Sequence, residues 1–173
     1  MAGVRVDEPP DPYTSVMVWN LGARRGPKCP DEHWVYLPNS TSGAHRVGFY
    51  SNVSESFLPA AARGRGEHVS AYVEHAYRGG EPPTAETLAA DQDAMLGELQ
   101  ALGWIGEVSV VDATWIDVAY TWSHPGSTWV ASARAALVAH GIATVGRYAT
   151  WTFQGIADSV RDGLQLGATL ATP

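Results

Sequence analysis

The chain has 173 residues, of which 45% are hydrophobic and 17% charged, and its formal net charge is −7. These values indicate a folded globular protein with enough chain for a buried core. The acidic balance argues against nucleic acid as a partner, because phosphate binding needs a concentrated basic surface. Only one of the 11 basic residues is a lysine, Lys28, and the arginines are scattered along the chain.

The sequence contains no segment of the type that crosses a membrane or directs secretion. No apolar stretch approaches the roughly 20 residues needed to span a bilayer, and residues 1–14 are acidic and proline-rich without an apolar core. The single cysteine, Cys29, cannot form an internal disulfide and suits a reducing compartment. We therefore expect a cytoplasmic protein without a membrane span.

The first half of the chain is predicted to be a β-rich meander that follows a disordered leader at residues 1–14. β-branched and aromatic runs bounded by Gly, Pro, Asn and Ser are typical of strands. They predict strands at 15–21, 33–37, 45–51 and 67–77. The short turns between these runs favour antiparallel neighbours.

The apolar period then changes. Apolar residues spaced by sevens, fours and threes predict a helix over 84–102, with Thr84 as its cap. The rest of the chain is predicted to contain a strand, a helix, a short strand and a final helix, at 107–122, 128–140, 142–145 and about 155–170. This order predicts an α+β fold, an antiparallel sheet with helices, that ends in a strand-loop-helix.

The sequence lacks the common motifs for a metal, a nucleophile or a phosphate loop. No pair of the six histidines has the spacing of a zinc motif, so we expect no metal site. No G-x-S-x-G elbow is present, and no histidine is placed by sequence to activate Cys29. Gly64-Arg65-Gly66 lacks the third glycine of a dinucleotide fingerprint.

The strongest candidate site is VGRYATWTFQGIADSVRDG, residues 145–163. Amide groups at a helix start are unpaired, and the helix dipole makes that end positive. The backbone around Gln154, Gly155 and Ile156 could therefore face a polar or anionic ligand, and glycine would allow close approach. Arg147, just after the expected strand, could bind a phosphate with two parallel hydrogen bonds.

A capping arrangement is the alternative interpretation of the same stretch. In it, Asp158 and Asp162 complement the helix dipole and Arg147 pairs with one of them. Chemistry alone favours this alternative. Each of the seven tryptophans alone is more typical of a core than of a ligand platform, and Trp151 differs only because of its neighbours.

The longer stretch GIATVGRYATWTFQGIADSVRDG resembles the C-terminal flavin-binding segment of FAD-dependent oxidoreductases of the amine oxidase and protoporphyrinogen oxidase type. It also resembles the related segment of UDP-galactopyranose mutases. Upstream, HRVGFYSNVSESFLP and SAYVEHAY resemble the substrate-domain strands of the same families. The resemblance covers roughly residues 15–171 and implies a substrate-domain-like region at 15–140 and an FAD-contacting strand and helix at 141–173.

The resemblance also implies roles for single residues. Arg147 would lie against the FAD pyrophosphate, and the backbone at 154–156 would face the pyrimidine edge of the flavin. The cofactor-binding residues that it implies are Gly146, Arg147, Trp151, Gln154, Gly155 and Ile156. On the substrate side it implies Tyr120 and His124, for a small-molecule substrate, while no catalytic residue is identified.

Two departures from the family pattern affect these expectations. Ala149 stands where these families usually carry glycine, which would cost about 1 kcal/mol if that position needs a positive φ. The amino-terminal βαβ unit with G-x-G-x-x-G is absent. We therefore expect weak or no FAD binding by this chain alone, and a possible partner that supplies the N-terminal flavin-binding half on another chain.

Three functions follow from the resemblance. The first is the C-terminal part of an FAD-dependent oxidoreductase that supplies a substrate pocket and flavin-edge contacts and is incomplete alone. The second is a truncated, non-catalytic remnant that binds a small molecule or self-associates. The third is a fragment similar to UDP-galactopyranose mutase. Whether the chain is itself an enzyme stays open at this point.

Overall fold

The structure, a computed structural model, describes residues 3–171. It is an α+β fold with a five-stranded antiparallel sheet, which confirms the predicted fold class. Along the sheet the strand order is β2-β3-β4-β1-β5. The strands are β1 (Tyr13–Arg25), β2 (Trp34–Tyr36), β3 (Ala44–Phe49), β4 (His68–Arg78) and β5 (Ile105–Thr121).

The helices follow the predicted order. They are α1 (Tyr50–Val53), α2 (Ala85–Ala101), α3 (Trp129–Ala139), α4 (Arg147–Thr150) and α5 (Ile156–Leu170), with short 3-10 turns at Glu55–Phe57 and Ala60–Ala62. Thr84 caps α2 as expected, since its hydroxyl accepts a hydrogen bond from the Thr87 N–H at 3.2 Å. No helix within residues 3–171 is long and apolar enough to cross a bilayer.

The short strand predicted at 142–145 is wrong. These residues belong to no strand, and the Ile142 N–H instead donates to the Leu137 carbonyl at 3.0 Å. A strand needs a neighbour that pairs with its N–H and C=O groups, and no described strand pairs with this segment. It therefore closes the end of α3 and leads into α4.

The chain divides into two compact units. The larger unit is residues 14–119, and the smaller one, as far as the structure describes it, is residues 3–13 together with 120–171. In the smaller unit, the hydroxyls of Thr128 and Ser132 donate to the carboxylate of Glu8. The predicted boundaries at residues 14 and 140 rest on the family resemblance and stay a prediction.

The core of the larger unit lies between α2 and one face of the sheet. Side chains alternate across a strand, so every second residue of β1 and β4 faces this core. Trp19 of β1 and Val47 of β3 both lie opposite Val73 of β4, and all three are buried. Met95 and Leu99 of α2 are each 1% exposed and belong to the same cluster.

The other face of the sheet carries polar and aromatic side chains. A bulge in β3 shifts its register against β4 between Ala44 and Arg46. As a result both His45 and Arg46 reach the buried carboxylate of Glu74: His45 Nε2 lies 3.3 Å from Oε2, and Arg46 Nη2 donates to Oε1. Glu74 is thus paired with cationic or polar groups from the neighbouring strand.

Candidate functional site

Residues of α4, of the loop after it and of the first turn of α5 enclose a cavity of about 450 Å³. Four of the six residues predicted to contact a cofactor line it: Arg147, Gln154, Gly155 and Ile156. Tyr148, Ser159 and Val160 complete the lining. The structure therefore brings the candidate residues together.

Two left-handed residues shape the chain around this cavity. Gly146 precedes α4 with φ +86°, and Trp151 follows it with φ +56°. Glycine adopts that conformation without strain, whereas for tryptophan it is rare. Ala149 lies inside α4 and has no positive φ. The expected cost of alanine at this position is therefore wrong.

The guanidinium of Arg147 makes no ion pair among the described residues. It lies over the ring of Phe153, with Cζ 4.9 Å from the ring centroid, a cation–π contact. The two aspartates of the capping alternative have other partners: Asp158 pairs with Arg161 at 2.9 Å, and Asp162 accepts from the Gln154 amide at 2.5 Å. The arginine–aspartate pair expected from capping is thus absent.

The start of α5 is nevertheless partly capped by its own sequence. The carboxylate of Asp158 accepts a hydrogen bond from the Gly155 N–H at 3.2 Å, and a negative charge there is favourable to the helix dipole. Glycine has no side chain with which to return a bond. The first amides of the helix, at Ile156 and Ala157, have no carbonyl one turn earlier to bond. The helix start therefore keeps donors for a ligand.

The other candidate residues do not line this cavity. The indole of Trp151 packs edge-on against Trp129, with ring centroids 5.2 Å apart, and its Nε1 is buried without a hydrogen-bond partner among the described residues. His124 is exposed and its ring packs against Trp122 at 5.3 Å. Tyr120 belongs to the last part of β5. Their cofactor and substrate roles stay predictions.

Sequence reasoning did not identify the polar cluster on the open face of the sheet. The ring of Tyr72 lies so close to Gly48 that a β-carbon there would be 2.0 Å from Tyr72 Cε1. The Arg46 guanidinium is 5.8 Å from the same ring. The signal was available: polar residues occupy every second position of the strand at 68–74, between the buried ones.

Comparisons with known proteins give one line of relationship. No family model matches the chain, and no curated protein matches it. The fold is similar to a crystal structure of reduced UDP-galactopyranose mutase, with a TM-score of 0.71 and 22% sequence identity. The match covers 93% of this chain and 35% of the mutase chain. This chain thus spans about a third of the length of that structure.

Proposed function

We propose that the chain is the C-terminal, cofactor-contacting part of an FAD-dependent enzyme and requires an N-terminal flavin-binding half for activity. The observation that carries this proposal is the cavity at 147–160, where Arg147, Gln154, Gly155 and Ile156 meet at a helix start. The fold shared with a UDP-galactopyranose mutase over nearly the whole chain supports it. The motif resemblance from which the same residues were named is a separate support.

The donor set around this cavity suits one part of a flavin cofactor. A guanidinium without an ion pair among the described residues and the free amides of a helix start are groups that bind phosphate or carbonyl oxygens. Gly155 keeps the helix start open, because it places no side chain there. A whole dinucleotide also needs the glycine-rich βαβ unit. The described residues contain no such unit, so the fit is partial.

The protein's own contribution would be binding and electrostatics. FAD supplies the redox chemistry when it is bound. Arg147 would neutralise the pyrophosphate charge, and the positive end of α5 would stabilise negative charge at the pyrimidine edge of the ring. Tyr120 and His124 would lie toward a small-molecule substrate, as the resemblance implies. A cytoplasmic location is part of the same proposal.

The class of reaction has two candidates. The sequence motif resembles oxidases of the amine oxidase and protoporphyrinogen oxidase type, whereas the fold comparison gives a mutase. The mutase-like alternative is favoured by that comparison, and the oxidoreductase by the motif alone. A non-catalytic remnant that self-associates is a further alternative, favoured by the exposed apolar residues of α5, among them Ile156 and Leu164, which are 87% and 72% exposed.

The test is a flavin titration followed by visible absorbance. FAD is added to the purified chain alone, and to the chain mixed with a separately expressed N-terminal flavin-binding domain that carries the G-x-G-x-x-G unit. We expect weak or no binding by the chain alone and saturable binding with the added half. Binding in neither mixture would leave the remnant as the better proposal, and a stably yellow monomer would contradict the need for a second half.

Variants at Arg147 locate the contact. We expect Arg147→Ala to weaken FAD binding by the reconstituted pair about tenfold or more, as loss of a charged hydrogen-bond pair does. Arg147→Lys should restore only part of the affinity, because lysine lacks the planar fork of donors. Arg134→Ala is the matched control, since Arg134 is an exposed arginine of α3 outside the cavity. Equal affinity in Arg147→Ala and Arg134→Ala would refute the role of Arg147.

A further inference from the structure

The larger unit contains a second cavity, of about 480 Å³, on the open face of its sheet. Its floor is formed by residues of β1, β4 and β5, including Gly22, Ser70 and Val110. Its wall is the segment 57–62, which contributes Phe57, Leu58, Pro59 and Ala62. The volume falls within the range of ligand pockets in proteins, which are concave and mostly apolar.

The wall of this cavity is fixed in place before any ligand binds. The side chain of Arg63 donates from Nε to the Leu58 carbonyl at 2.9 Å and from Nη2 to the Ser56 carbonyl at 3.1 Å. The ring of Phe57 stacks on Tyr50, with centroids 5.4 Å apart. A preformed wall lowers the cost of binding, because little of it has to be ordered.

Apolar side chains at this cavity remain exposed. Phe57 is 54% and Val110 58% exposed, although both belong to a unit that buries many other apolar side chains. Gly22 keeps the floor low beside Val110: a β-carbon on it would lie 3.0 Å from Val110 Cγ1. A ring or short chain placed here would cover apolar surface that the unit itself leaves in water.

One acidic group at the edge determines the charge of a suitable ligand. Asp112 lines the cavity, and its carboxylate makes no hydrogen bond or ion pair with any residue of 3–171. The whole chain carries a net charge of −7, which also attracts cations. Asn20, His68 and Ser109 are further polar residues of the lining.

From these observations we propose that this cavity binds a small apolar organic cation, with its ring or chain against Phe57 and Val110 and its cationic group toward Asp112. The site is separate from the cofactor site proposed above, because all of its residues lie between 20 and 112. It does not depend on the flavin proposal.

The experiment uses three probes with one ring and different charges: naphthylmethylamine, naphthylmethanol and naphthylacetate. Each is titrated into the full chain, and binding is followed by amide NMR shifts. We expect the amine to bind at least tenfold more tightly than the acetate, with the alcohol between them, and the shifts to centre on Gly22, Ser70 and Val110. No binding at millimolar probe, or equal binding of the three, would overturn the proposal.

Two pairs of variants separate charge from apolar contact. Asp112→Asn should weaken the amine about tenfold and leave the alcohol unchanged, whereas Asp117→Asn, an exposed aspartate of the same strand outside the cavity, should change neither. Val110→Gln should weaken all three probes, and Ile116→Gln, a 38% exposed residue of the same strand outside the cavity, should not. Equal effects within either pair would contradict the site. Unchanged probe binding in Arg147→Ala is expected and keeps this test independent of the flavin titration.

Discussion

In residues 14–119, α2 and the sheet close over Trp19, Met95 and Leu99, whereas in residues 120–171 the apolar side chains of the helices face outward. All fully buried apolar side chains of the described residues lie in the larger unit. The last helix is amphipathic, and its Ile156, Val160 and Leu164 are more than half exposed. Helices get most of their stability from packing an apolar face, so the smaller unit has a helical pattern that still lacks its contact surface.

The difference teaches which part of the chain can be stable by itself. Burying one valine, leucine or isoleucine fully contributes about 1.5–3 kcal/mol. The larger unit collects many such contributions, and the smaller one collects none at full burial. A missing flavin-binding half would supply the covering surface, which is the structural reason for the proposed dependence on it.

The largest expected effect is loss of the central tryptophan of the core. Trp19 is 1% exposed, and Trp19→Ala should lower the free energy of unfolding by about 3–5 kcal/mol, because it removes buried surface and leaves a cavity. Urea unfolding followed by circular dichroism measures this loss. Trp34→Ala, at a residue 55% exposed in the same unit, is the control and should change stability by less than about 1 kcal/mol.

A charged loop anchor gives the next effect. Glu98 of α2 accepts hydrogen bonds from Ser40 and Ser42 and from the Thr41 amide, at 2.5–3.2 Å. Partial burial raises the pKa of Glu98, but the bonds from Ser42 and Ser40 outweigh it and lower this pKa to about 2. Glu98→Gln should therefore cost roughly 1.5–3 kcal/mol at pH 7.

The pH dependence of this cost follows from the sign of the shift. The pKa of Glu98 is lower in the folded state than the 4.5 of a free glutamate. Its contribution is therefore fully present well above pH 4.5 and falls as the pH drops toward about 2. Unfolding at pH 7 and at pH 3 should give a smaller difference between the native chain and Glu98→Gln at pH 3. Glu107→Gln, an exposed glutamate of β5, should show no such trend.

Two glycines of the larger unit should respond in opposite directions. Gly48→Ala would place a β-carbon against the ring of Tyr72 and should cost about 1–3 kcal/mol through overpacking. Gly97→Ala, inside α2 with no atom near the new β-carbon, should instead gain about 0.5–1 kcal/mol from helix propensity. Thermal unfolding of both variants measures the signs. A stabilised Gly48→Ala would show that the polar face is looser than described.

The smallest expected effect is the one that most directly tests the comparison. Leu164→Ala should change the stability of the isolated chain by no more than about 0.5 kcal/mol, as at other exposed positions. The chemically identical Leu99→Ala in α2 should cost about 2–5 kcal/mol. Urea unfolding of both variants gives the ratio. A large loss for Leu164→Ala in the isolated chain would mean that the smaller unit has a core after all.

Local signals were sufficient for the parts of the fold whose partners lie nearby. The helix at 84–102 was predictable because its apolar spacing and the Thr84 cap lie within one segment. The full length of β1 was not, because Gly22 to Arg25 resemble a turn. Pairing overrides that preference: Gly22 lies opposite Ser70, and Arg24 reaches Glu67 at 2.9 Å.

The candidate site shows the same limit. Arg147 and Gly155 could be placed together because a strand end and a helix start follow each other in sequence. The left-handed conformation of Trp151 has no sequence signal, so its packing on Trp129 could not be predicted. The strand expected at 142–145 failed for a related reason, since a strand depends on a neighbour that sequence pattern does not reveal.

The bulge at His45 has a consequence for how the sheet assembles. Sliding β3 by one residue along β4 would turn His45 and Arg46 away from Glu74 and leave a buried carboxylate without its cation. An uncompensated buried charge is among the most costly errors a fold can make. The three residues therefore act as a check on strand alignment during folding, and they reject misaligned pairings before α2 docks on the opposite face.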